Sequence, residues 1–162
     1  MKVPENKRHG AISALLDEYE RSLRHLKAAI ETIPADALSK IIDAATNDDN
    51  CRSVQTILSH VVNSGYGYAT SIHNSGGNHL ARPAKVFHET IEPYLQDIDS
   101  MFAFTENVFQ NICDNDLEQL DDRFKIKTGW GQLYDIEQLM EHAIVHILRH
   151  RRQIEKIKWD KL

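Results

Sequence analysis

Basic runs are missing from this chain of 162 residues, and its formal net charge is -5. The long-range field therefore repels a nucleic-acid backbone, and the local trio Arg149, Arg151 and Arg152 is too small to reverse it. Long apolar runs are missing too. No stretch approaches the roughly 20 residues a membrane helix needs, and no charged-then-apolar leader opens the chain. Neither nucleic acid nor membrane is expected as a partner. Cysteine is limited to Cys51 and Cys113 without C-x2-C spacing, which argues against a disulfide framework or a zinc knuckle and suits a reducing cytoplasm. Glycines number seven, prolines four, and aromatics make up 7%. With Leu, Ile, Ala, Glu, Gln and Lys recurrent, that composition favours helix over sheet.

Several catalytic signatures are absent as well. There is no G-x-S-x-G, no phosphate-binding glycine loop and no G-x-G-x-x-G; Gly65-Tyr66-Gly67 is too short a run and falls within a helical pattern. His-Glu-x-x-His is missing, which removes a zincin-type protease. No histidine has a glutamate three residues before it, so a di-iron carboxylate bundle is not indicated.

What is present is helical periodicity. After a polar start over Met1–Gly10, Ile12, Leu15, Leu16, Tyr19, Leu23, Leu26, Ile30 and Ile33 recur at spacings of three and four, giving a long helix that ends before Pro34. The stretch from Pro34 to Asn50 reads as a connection with a short helix. Ser53 is placed to cap a second helix running towards Ile72, with His60 on it. Gly65 and Gly67 weaken that helix and let a neighbouring helix, or else a ligand, approach its backbone closely. A third helix carries Val86, Phe87, Ile91, Tyr94, Leu95 and Ile98. It either starts near Ala84 and kinks at Pro93, or starts near Thr90 with Pro93 in its first turn. An acidic connection over 114–131 leads to a fourth helix from about Gln132 to Lys158. No strand is indicated. Four amphipathic segments in a chain of this length predict one all-α domain over 1–162, a four-helix bundle with long connections able to cross over.

His142, His146 and His150 stand at four-residue intervals on the fourth helix, so neighbours in the row lie one above another, about 6 Å apart along the axis. Zinc commonly takes three protein ligands and an exchangeable fourth, and bundles build such sites from facing helices. Two ligands from this row and one from another helix meet that need. His60 is the best candidate for the third, being mid-helix among Ile57, Leu58, Val61 and Ser64. Spacing does not choose between His142 with His146 and His146 with His150. Acceptors for the free imidazole nitrogens are sought at Glu137, Glu141, Asp17 or Glu20.

Two stretches then resemble a known family. Ser53-Val54-Gln55-Thr56-Ile57-Leu58-Ser59-His60 is similar to the second-helix motif of the DinB/YfiT-like superfamily, and His142-Ala143-Ile144-Val145-His146-Ile147-Leu148-Arg149-His150-Arg151-Arg152-Gln153 resembles its H-x3-H-x3-H-R-G-Q signature. Arg152 departs from the pattern, which has glycine there, and either narrows the approach to the site or points to solvent. The resemblance implies an up-down-down-up bundle, often a homodimer, and a metal triad at His60, His146 and His150 with His142 as an accessory neighbour. It also implies chemistry: a metal-dependent enzyme of the thiol S-transferase kind, using a divalent ion and a low-molecular-weight thiol on a small-molecule substrate. Three imidazoles suit zinc, nickel, copper and iron alike, and availability and geometry favour zinc or nickel. Asn63, Ser64, Tyr66, Trp130 and Tyr134 are candidates for the pocket around it. The competing readings are a non-catalytic metal-binding or stress-response bundle, and a dimeric scaffold whose histidines sense pH.

Overall fold

The computed structural model describes residues 10–161. The polar start before Gly10, His9 included, lies outside the described residues. Helix α1 spans Gly10–Ile30, a one-turn α2 spans Ala35–Leu38, and α3, α4 and α5 span Val54–Ser75, Ile91–Phe109 and Ile136–Lys161. The four long helices bury the stripes their periodicity marks: Leu16, Tyr19, Leu23, Leu26 and Ile30 from α1, Val54, Ile57, Leu58 and Val61 from α3, Tyr94, Ile98 and Met101 from α4, and Leu139, Met140, Ala143, Ile147 and Ile154 from α5. Each fully buried aliphatic side chain of this kind contributes about 1.5–3 kcal/mol. The chain is thus an all-α helical bundle.

Contacts along the helices give their relative sense. Lys158 reaches the Ala29 carbonyl and Thr32, while Arg151 meets His25, so α1 and α5 run the same way. Ser59 meets Tyr94 and Tyr66 meets Phe104, so α3 and α4 also run together. His60 beside His150 and Tyr68 beside His142 run α3 against α5. Gly65 lets α3 come close: a Cβ there would lie 1.9 Å from Met101 Sδ and 2.9 Å from Tyr19 Oη.

Because α3 and α4 share a direction, the chain must return along α3 before α4 can begin. Residues 78–90 make that return, and α3 holds them rung by rung. Asn74 exchanges two hydrogen bonds with the backbone of Leu80, Asn63 donates to the Pro83 carbonyl at 3.1 Å, and Gln55 donates to the His88 carbonyl at 3.0 Å. The third helix therefore does not start near Ala84. It starts at Ile91, and Pro93 stands in its first turn, where its missing N–H has no helical acceptor to lose. Val86 and Phe87, expected on an apolar helix face, lie exposed on the crossover instead.

Two ends depart from simple periodicity. The fourth helix begins at Ile136 rather than Gln132, because Leu133–Tyr134 pairs antiparallel with Ile126–Lys127 in a hairpin (β1 and β2) where no strand was expected. Gly131, at φ +89°, supplies the left-handed turn that closes it. Asp135 then caps α5: its carboxylate accepts from Gln138 N at 2.8 Å, and Gln138 Oε1 accepts from Asp135 N at 3.1 Å. The acidic connection also serves α1, whose first N–H groups at Ala11 and Ile12 donate to the Asp114 carboxylate at 2.9 and 3.0 Å. Those bonds hold the Asp114 carboxyl below the usual range.

Candidate metal centre

Helix geometry decides which side chains of α3 meet those of α5. At about 100° per residue, the positions four, seven, eight and eleven beyond His60 return to its face: Ser64, Gly67, Tyr68 and Ser71. All five line one cavity of about 420 Å³ together with His142, His146, Arg149 and His150 of α5. The Ser53–Thr56 capping box, in which the Ser53 side chain accepts from Thr56 N while Thr56 Oγ1 accepts from Ser53 N, sets the start of α3 and hence the register of His60. On α5, His150 falls in the buried stripe between Ile147 and Ile154 and is only 3% exposed.

Three imidazoles converge there. His146 Nε2 lies 2.9 Å from His60 Nε2 and 3.1 Å from His150 Nε2. Those two separations are close to the roughly 3.4 Å spacing of donors around a tetrahedral zinc with N–Zn bonds near 2.0–2.1 Å, and one ligand nitrogen from each residue falls within 4.8 Å of the other two. Protein hydrogen bonding alone does not satisfy this cluster, since a single Nε2 proton on His146 can serve only one of its two neighbours. His146 Nδ1 is buried with no partner among the described residues. A cation fits the donor set; three neutral nitrogens facing one point otherwise repel.

The surroundings keep them neutral. Burial, reinforced by the neighbouring His150, pushes His60 down to about 4, and burial with His150 and His60 pushes His146 down to about 3. Burial also lowers His150 and His142. Neutral imidazole is the form that binds metal. Gln153 Oε1 lies 3.0 Å from His150 Nδ1, and Ser64 Oγ lies 3.4 Å from His60 Nδ1. None of Glu137, Glu141, Asp17 and Glu20 lines the cavity; for His150 the acceptor is Gln153, three residues along the same helix.

The remaining sequence candidates separate. His142 stays outside the triad and stacks on Trp130 at 4.7 Å between ring centroids, so the turn of the hairpin covers one side of the cavity. Ser64 lines the cavity. Tyr134 braces Trp130 and His142 from behind without lining it. Tyr66 packs on Phe104 instead, and Asn63 is engaged by the crossover. Arg152 is exposed and takes no part in the cavity wall. Sequence reasoning missed Tyr68, which meets His146 and His142 edge-on at 5.8 and 5.6 Å, and also Asp48, Arg82 and Arg149. Burial raises the Tyr68 phenol to about 12.

An all-α bundle with a three-histidine cluster in one cavity wall defines the class. Residues 2–156 match the DinB family, and the chain belongs to that family. Comparison with curated proteins and with solved structures gave no match.

Proposed function

We propose that His60, His146 and His150 hold one divalent ion and that the protein is a metal-dependent enzyme of the thiol S-transferase kind. The observation that carries this is the convergence of three neutral imidazole nitrogens in the wall of an accessible cavity. Such an ion, zinc or nickel on grounds of availability and geometry, would supply Lewis acidity that lowers the pKa of a bound thiol.

The chain's own groups do the rest. Gln153 holds the His150 proton on Nδ1 and leaves Nε2 free. Tyr68 remains a neutral donor at the cavity wall. Trp130 and His142 form a flat aromatic side against which a small organic electrophile can lie. No protein nucleophile is needed, since a low-molecular-weight thiol brings its own sulfur. This reading puts the protein in the cytoplasm, where such thiols are kept reduced.

Metal analysis of untagged protein tests the foundation. Wild type is expected to retain a stoichiometric divalent ion, His146→Ala to lose it, and His142→Ala to keep it. A panel of thiols and electrophiles tests the chemistry. Stoichiometric metal with no turnover above the free ion would leave a structural or non-catalytic metal-binding bundle, and absence of metal from wild type would remove the proposal.

A further inference from the structure

We infer that Arg82 and Arg149 form an oxyanion subsite at the mouth of this cavity, so that the small molecule it admits carries a carboxylate or phosphate besides its reacting group. The inference rests on the three-histidine reading above.

Arg82 belongs to the crossover and Arg149 to α5, and both line the cavity that the histidines line. Placing Arg82 there takes a specific accommodation in α3. A Cβ on Gly67 would lie 2.9 Å from Arg82 Nη1 and 3.1 Å from its Cδ, so the guanidinium lies across a helix surface left bare by that glycine. One turn earlier, Asn63 holds the next residue of the crossover by donating to the Pro83 carbonyl at 3.1 Å. Gly67 and Asn63 are thus positioning residues for Arg82. Packing between helices does not explain Gly67, since the three atoms nearest to a Cβ there all belong to this side chain.

The charge balance points the same way. In a chain with an acidic excess, Arg21, Arg52, Arg123 and Arg151 pair with carboxylates. Among the described residues Arg24, Arg82, Arg149 and Arg152 make no ion pair, and of these four Arg82 and Arg149 are the two that line the cavity. The cavity's one carboxylate is Asp48, whose oxygens already accept from the Asn50 backbone and side-chain amides and from Cys51 Sγ. Lys85 stands nearby, bonded to Asn50. A divalent ion on three neutral imidazoles makes this cavity more cationic still, and guanidinium forks in a half-enclosed site favour carboxylate or phosphate oxygens.

The test uses zinc-loaded full-length protein, with metal content measured first, and calorimetric titration with mercaptosuccinate and with 2-mercaptoethanol. Wild type is expected to prefer the dicarboxylate by about tenfold or more. That preference should fall several-fold in Arg82→Gln with Arg149→Gln, and partly in Gly67→Val, with zinc content unchanged. Competition by succinate against inorganic phosphate tells which oxyanion the subsite takes. A preference of equal size in the arginine variants would mean that the thiol and carboxylate chelate zinc by themselves, and would overturn the subsite while leaving the metal reading intact. Wild type that loads no zinc would overturn both. Gly67→Val leaves both arginines in the chain, so it reads the subsite even if the double variant folds poorly.

Discussion

Gln153 Oε1 accepts a hydrogen bond from His150 Nδ1 at 3.0 Å, within a single turn of α5. An amide oxygen only accepts, so the bond places the imidazole proton on Nδ1 and turns the Nε2 lone pair towards His146 and His60. Loss of an outer partner of this kind typically costs about 10–100-fold in metal affinity. Gln153→Ala is therefore expected to weaken zinc binding by that order in competition with a chelator, with helicity by circular dichroism unchanged. Gln153→Glu, which keeps an acceptor and adds charge, should bind at least as tightly as wild type. Equal affinity in Gln153→Ala would show that the bond does not orient the ligand.

A second expectation concerns acid. His60 and His146 hold folded-state pKa values of about 4 and about 3 against an ordinary 6.5. Their shifts are downward, so the unfolded chain binds these protons first, and stability falls as pH falls. Metal-free protein should hold its full stability above pH 6.5 and lose it progressively towards about pH 3. Denaturant midpoints measured across that range check this. A variant with His60→Gln and His146→Gln should show a flatter dependence than wild type. Protons compete with metal for the same nitrogens, so zinc should be released over the same acid range.

How far the sequence carried the site depends on which contacts are local. His146 and His150 lie one turn apart on one helix, where the spacing flagged a row of three histidines and the family motif selected this pair, but their acceptor Gln153, one turn further on, was sought among carboxylates instead. His60 needed a second helix, supported by Ser53 at the cap and the motif that follows. Counting one turn on from His60 reached Ser64, and a second turn would have reached Tyr68. Tyr66, six residues on, sits on another face and packs against Phe104. Arg82 was invisible for a different reason. It reaches the cavity only because the crossover runs back along α3, a path set by distant bonds such as Gln55 to His88 and Asn63 to Pro83. The hairpin escaped notice because each strand is two residues long, too short for alternation to register.

Gly65 offers a test of the packing that carries His60. It lies five residues beyond His60 on α3, where the helix approaches α4 and α1 together, and the space a Cβ needs is taken by Met101 Sδ and Tyr19 Oη. Tyr19 is itself 1% exposed and Met101 0%, so neither can swing into solvent without breaking the core. Alanine at this position would gain helix propensity of about 1 kcal/mol over glycine, which partly offsets the overpacking and makes it a poor probe. Valine brings more bulk with less propensity gain. Gly65→Val is expected to destabilise by about 1–3 kcal/mol, read as a lower denaturant midpoint at unchanged slope. Displacement of α3 would also loosen the approach of His60 to α5, so zinc affinity should fall with stability. In Gly67→Val, on the cavity face, zinc affinity should hold while the oxyanion preference falls. If the two variants shifted both quantities alike, the division of α3 into a packing glycine and a pocket glycine would be wrong.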